Sequence, residues 1–206
     1  MQAVRAFHEL YYDSRDTTWK DTRWRGVRAQ KCPLDLWVYQ EILHEVQPDL
    51  IVETGTAEGG SALFLASMLD LLGRGEVVTI DVLQRPDYPR HPRVTYLHGS
   101  STDPAIVGHV SDLVADGDKV VVILDSDHTK DHVLAEMRAY GPLVTKASYM
   151  IVEDTNINGH PVLPDFGPGP WEAVEEFLQG NDQFEVDRSR EKLLMTFNPM
   201  GYLRRQ

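Results

Sequence analysis

Two apolar runs of this chain end in carboxylates: VVVILDSDHT carries Asp125 and Asp127, and SYMIVEDTN carries Glu153 and Asp154. Four acids at two successive strand ends are costly unless a positive charge sits among them. Oxygen donors on rigid strand ends are what a hard divalent ion such as Mg²⁺ takes. Asp127, Glu153 and Asp154 offer three ligands, the last two starting 26 positions after the first (127 to 153). Asp125 is either a further ligand or a group closer to a cofactor. His128 adjoins this loop, and a neutral imidazole beside Asp127 can take a proton from a metal-bound hydroxyl. The plainer alternatives are loop or helix caps for the acids and a structural hydrogen bond for His128. His160, in NINGHP, is the other histidine near the acidic pair.

Upstream, DLIVETGTAEGGSALFLASML reads as a strand, a Gly-rich loop and a helix. From Gly55 the pattern is G-x-A-x-G-G, so Ala57 stands where the dinucleotide fingerprint needs its second glycine. Gly55 can make the tight turn, and Gly59 with Gly60 lets backbone approach a ligand at a helix N-terminus. Thr56, Ala57 and Ser61 complete the loop. Asp81 ends the next strand, 26 positions on (55 to 81), and suits the two hydroxyls of a ribose. Glu53 precedes the glycines; it would repel a pyrophosphate but could receive an ammonium. That combination favours S-adenosylmethionine over NAD. The plain alternative is a Gly-rich connection that serves only helix packing.

One decoy competes. Asp125-Ser126-Asp127-His128-Thr129 also resembles the D-x-D-x-T motif of haloacid-dehalogenase-type phosphatases. That motif sits on a first strand, whereas here it falls on the fourth, and ETGTAEGG would have no role.

Composition narrows the class. With 206 residues, 42% apolar and 25% charged, the chain suits one globular domain. A net charge of −12 argues against nonspecific nucleic-acid binding. The single cysteine, Cys32, excludes an internal disulfide and a Cys-based zinc cluster. The first residues carry no signal-like apolar core, and no segment is long enough to span a bilayer. The expectation is a cytoplasmic enzyme acting on a small molecule.

These residues need elements to hold them. Residues 1–33 are polar and aromatic without a clean period and read as an N-terminal arm; 34–206 read as the catalytic domain. Apolar positions 34, 37, 38, 42 and 46 predict a helix. Then strands at 50–54, 77–82, 94–97, 119–124 and 149–152 alternate with helices near 61–72, 104 onward, 130–140 and 171–178. Asp103-Pro104 is an N-cap and N1 signal. A Pro- and Gly-rich loop fills 159–170, and 184–187 with 193–197 are predicted to form an antiparallel pair. Alternation with Val/Ile-rich strands predicts a parallel sheet covered on both faces. In such sheets ligands bind beyond the carboxyl ends of the strands, where all of the acids above fall.

Several segments carry a family resemblance: KCPLDLWVYQEI, DLIVETGTAEGGSALFLASM, GSSTDP, ILDSDHTKDHVLAEMRAYGPLV, YMIVEDTNINGHPVLPDFGPGPWEAVEEFL and REKLLMTFNP. In this order, from about Trp19 to Arg204, they resemble the cephalosporin-hydroxylase family. The resemblance implies a three-layer, Rossmann-like class I methyltransferase fold. Its seven-stranded sheet is mostly parallel with the last strand antiparallel. It implies S-adenosylmethionine as methyl donor and a Mg²⁺ site on Asp127, Glu153 and Asp154. It also implies His128 as catalytic base, and Ser100 and Ser101 near the adenine. Members include sugar and natural-product O-methyltransferases and often form multimers, which implies a homo-oligomer and a hydroxyl acceptor such as a sugar or secondary metabolite. An alternative is an S-adenosylmethionine-binding accessory protein of a tailoring oxygenase. An Fe(II) oxygenase would need two histidines and one carboxylate, and the sequence offers only His160 as a partner for His128.

Overall fold

The computed structural model describes residues 2–206; Met1 of the arm lies outside them. The arm holds helix α1 (Gln2–Asp13) and a two-stranded hairpin, β1 (Arg23–Trp24) and β2 (Val27–Arg28). Helix α2 (Pro33–Val46) follows, with proline in its first turn. Next come β3 (Leu50–Thr54), α3 (Gly60–Leu72), β4 (Glu76–Asp81), β5 (Val94–His98) and α4 (Pro104–Asp112). The chain continues through β6 (Val120–Leu124), α5 (Lys130–Tyr140), β7 (Tyr149–Val152), α6 (Pro170–Leu178), β8 (Phe184–Val186) and β9 (Tyr202–Arg205).

The main sheet has seven strands in the order β5-β4-β3-β6-β7-β9-β8. Strands β3 to β7 are mutually parallel, and β9 runs antiparallel to both β7 and β8. Successive residues of one strand face opposite layers. In β6, Val120, Val122 and Leu124 pack with α5 and α6, whereas Val121 and Ile123 pack with α2 and α3. Both faces are therefore dry, which explains why these strands are continuous apolar runs rather than alternating ones. Two helix ends match their sequence signals. Asp103 accepts the Ala105 N–H at 2.8 Å to cap α4, and Gly73 closes α3 in the left-handed region, φ +74°.

Within the arm, α1 buries His8 and Tyr12. Tyr12 and Cys32 share a cluster with Ile157, Val162, Met195 and Phe197. Residues 193–197 form no strand, and β8 pairs instead with β9. Their backbone and side chains are already engaged elsewhere. The buried Asp35 carboxylate of α2 accepts the Phe197 N–H at 2.8 Å and the Thr196 hydroxyl at 2.5 Å. The Phe197 carbonyl accepts the Asn156 N–H at 3.1 Å.

Asp35 also accepts the Tyr202 hydroxyl at 2.9 Å, so one carboxylate ties α2 to the C-terminal segment and to β9. Asp35→Ala leaves three buried donors without an acceptor and should cost about 3 kcal/mol of stability. Asp35→Asn, which keeps one acceptor oxygen, should cost less; urea unfolding of both variants checks the order.

Candidate active site

The sheet brings the acidic strand ends together because β3, β6 and β7 are adjacent and in parallel register. The tightest approach is at Gly55, directly after β3. A Cβ there would sit 1.9 Å from the Asp125 carbonyl oxygen, and the residue has φ +87°. Only glycine fits that conformation at that distance, so Gly55 lets β3 and β6 end side by side.

Beyond these ends lies a cleft of about 480 Å³. Gly55, Ala57, Asp81, Ser100, Ser101 and Asp125 line it, as do Asp127 and His132. Glu53, Thr56, Gly59 and Ser61, read from sequence as cofactor contacts, do not line it. Asp81 organises the loop: its Oδ2 accepts the N–H groups of Thr56 at 3.0 Å and Ala57 at 2.9 Å. Its Oδ1 accepts the Leu83 N–H at 2.8 Å. Glu53 is fully buried, with Oε2 on the Thr79 hydroxyl at 2.7 Å and Oε1 without a partner. Burial pushes its carboxyl up to about 7, against the opposing pull of the Lys31 ammonium.

At the other side of Asp125 stands a trio. Asp125, His128 and Asp154 each offer a ligand atom, all within 4.8 Å of one another. The His128 Nε2 lies 3.2 Å from Asp154 Oδ2. Asp154 reaches this place in the left-handed region, φ +54°, with its N–H held by Asn198 Oδ1 at 3.1 Å. The converging set thus differs from the expected Asp127, Glu153 and Asp154. Asp127 turns to the start of α5, where its Oδ1 accepts the Thr129 N–H at 2.8 Å, and Thr129 holds its carboxyl below the usual range. Glu153 is drawn to Lys31 Nζ at 2.5 Å and to the Tyr39 hydroxyl. The physical reason is burial: Glu153 is 4% exposed and must be paired where it stands. Burial raises the carboxyls of Asp125, Glu153 and Asp154; Lys31 opposes it for the first two, and His128 for the third.

Lys31 is the residue whose role the sequence reading missed. Its Nζ bridges Asp125 Oδ2 and Glu153 Oε1, each at 2.5 Å. Burial alone would lower its pKa, but Asp125, Glu153 and Glu53 raise it well above the ordinary lysine range. The signal available in sequence was the need for a positive charge among the acids. Nothing in a separation of 94 positions from Lys31 to Asp125 says which cation supplies it. A second network was also missed. Ser101 Oγ lies 3.2 Å from His132 Nε2, which lies 3.1 Å from Ser126 Oγ. The Ser126 hydroxyl donates to the buried Glu136 at 2.7 Å, and Glu136 raises the His132 pKa. His160 is committed elsewhere, stacked on Trp171 at 4.2 Å and 3.1 Å from Glu172 Oε1. Among the described residues no second histidine joins the trio, so the donor set of an Fe(II) facial triad is not assembled.

Residues 16–206 match the family described as Rhamnosyl O-methyltransferase/CmcI. The chain belongs to this family. The Rhamnosyl O-methyltransferase of Mycobacterium tuberculosis is 42% identical over 204 residues, which is 96% of this chain and 82% of that protein. That of Mycobacterium leprae is 40% identical over 206 residues, covering 97% and 89%. A CmcI structure with Mg and SAM superposes with a TM-score of 0.69 at 23% identity, over 91% of this chain and 77% of its own. The MycE methyltransferase of the mycinamycin pathway, in complex with Mg, SAH and mycinamycin VI, gives 0.52 at 20% identity, covering 78% and 40%. At these identities the structural likeness is one of fold. Family and fold together make the chain an O-methyltransferase of class I architecture.

The raised Glu53 carboxyl has a measurable consequence. A buried acid with a raised pKa binds its proton in the folded state when the unfolded chain has already released it. The free protein therefore loses stability through this group as pH rises from about 4.5 toward about 7. Glu53→Gln should match the wild type near the lower end of this window and exceed it above the upper end by about 3 kcal/mol. Urea unfolding across that range tests the sign.

Proposed function

We propose that this S-adenosylmethionine-dependent O-methyltransferase acts with Mg²⁺ on a hydroxyl of a sugar or sugar-bearing metabolite. The observation that carries this reading is the position of Asp125, which lines the cleft and also belongs to the trio with His128 and Asp154. One carboxylate thus adjoins both a cofactor-sized space and a donor set for a hard cation. The residues fit both groups. Two carboxylates at a rigid strand edge suit a hard dication such as Mg²⁺. Glu53 does not itself line the cleft, but its Oε1, buried without a partner two residues before the cleft-lining Gly55, is the acceptor assigned to the donor's ammonium.

The binding roles follow. Gly55, Ala57, Asp81, Ser100 and Ser101 hold the nucleoside part of the donor in the cleft, with Thr56, Gly59 and Ser61 shaping the loop from beneath. Asp125 and Asp154 would hold the metal, with Asp127 engaged at the start of α5 and Glu153 paired with Lys31 beside them. Bound Mg²⁺ would lower the pKa of an acceptor hydroxyl. His128, partly exposed, takes the proton from that hydroxyl, and Asp154 stabilises the imidazolium that forms. The acceptor oxygen then gains the methyl as the carbon–sulfur bond breaks, so S-adenosylhomocysteine, a methyl ether and a proton are the products. The loop 156–170, which follows Asp154 closely, borders the acceptor.

His128→Asn should lower kcat by about a hundredfold or more while S-adenosylmethionine binding stays near wild type, because a general base contributes to turnover rather than to donor affinity. Calorimetry for the donor and a methyl-transfer assay on rhamnosides and other vicinal diols separate the two readouts. Retained turnover in His128→Asn would remove His128 as the base. No donor binding by wild type would overturn the whole reading. Chelation of divalent ions should abolish turnover, and added Mg²⁺ should restore it.

A further inference from the structure

Lys31 comes from the arm, yet its side chain is only 3% exposed and ends between two acidic strand ends. Its backbone is fixed: the Lys31 N–H donates to the Thr22 Oγ1 at 3.1 Å, and the Thr22 hydroxyl is shared between the carbonyls of Trp19 at 2.8 Å and Lys31 at 3.0 Å. Its target is fixed as well. Glu153 is held by the Tyr39 hydroxyl, which itself accepts from Asn198 Nδ2 at 3.1 Å. A flexible cation thus reaches the site from a rigid base and meets a rigid anion. Around the trio there are three carboxylates, those of Asp125, Glu153 and Asp154, against one ammonium. Two negative charges remain, which is what one divalent ion neutralises.

We propose that Lys31 is a tethered counter-cation of the metal site. It keeps the acidic strand ends assembled when no ion is bound. It competes with the divalent ion for Asp125, and so sets the affinity of the site. Lys31 here is a positioning residue, not a proton carrier. The inference rests on the metal reading given above and goes beyond it by assigning the arm a part in metal binding.

The opposing charge has a sign that a merely structural contact would not have. Removing the ammonium leaves three carboxylates unbalanced, so the metal-free protein should weaken while the attraction for a dication grows. Two variants test this: Lys31→Gln, which keeps a hydrogen-bond donor without the charge, and Lys31→Met, which keeps the bulk alone. Mg²⁺ is titrated calorimetrically into the full-length wild type and each variant, and melting temperatures are recorded with chelator and with saturating Mg²⁺. The expected result is tighter Mg²⁺ binding in both variants, by about tenfold or more. A lowered melting temperature in chelator should be largely recovered by Mg²⁺. A variant that folds only with Mg²⁺ present supports the proposal in its strongest form. Mg²⁺ affinity equal to or weaker than wild type in a folded variant overturns it, as does a variant that Mg²⁺ does not rescue. If neither wild type nor variants bind Mg²⁺, the metal reading itself has failed, which is a separate outcome from wild-type binding with no gain in the variants.

Discussion

The rest of the site depends on one electrostatic constraint: carboxylates packed at dry strand ends must be balanced. Asp125 and Glu153 end neighbouring parallel strands, and Asp154 follows at once. Left alone in that environment, each would be held protonated or would force water in. The molecule answers with an ammonium from outside the sheet, Lys31, and with the Tyr39 hydroxyl of α2. The remaining negative charge faces His128 and the cleft.

That answer also explains why the arm and the catalytic domain form one packed unit. The arm delivers Lys31, and its α1 stacks His8 on Phe197 at 5.6 Å between ring centres. The hairpin lies on the start of α3, where a Cβ on Gly60 would sit 2.1 Å from the Arg28 carbonyl oxygen. Asp35 then fixes the 195–198 segment, from which Asn198 orients both Tyr39 and Asp154. A chain of buried polar contacts therefore runs from α2 through the C-terminal segment to the acidic pair. Every member is satisfied by another, which makes the geometry of the trio a property of the whole packing rather than of one loop.

The cleft and the trio share Asp125 but differ in how they are built. The cleft is backbone-led: Gly55 admits the close approach of β6, and Asp81 holds the loop by three N–H groups. The trio is side-chain-led and depends on Asp154 sitting in the left-handed region. The first arrangement suits a cofactor recognised by shape and a few polar contacts. The second suits an ion and a proton acceptor that need charge at fixed positions.

By itself, the sequence determined the strand and helix order from β3 to α6, since continuous Val/Ile runs between Gly- and Asp-marked turns have one economical solution, a parallel sheet buried on both faces. It also placed the acids at the carboxyl ends, because strand ends are local features. What it could not determine was the pairing of distant groups. Residues 193–197 have strand-like composition, yet Asp35 and Asn156 claim their backbone, so β9 forms further on. Asp127 and Asp125 are two positions apart and chemically alike, and only the loop's turn into α5 decides that Asp127 takes the Thr129 N–H while Asp125 joins the trio. Lys31 sits in an arm without a clean period, and its role exists only because the folded chain brings it across to Asp125 and Glu153. Local order follows from side-chain periodicity; the balance of buried charge is decided by tertiary contacts, which periodicity does not encode.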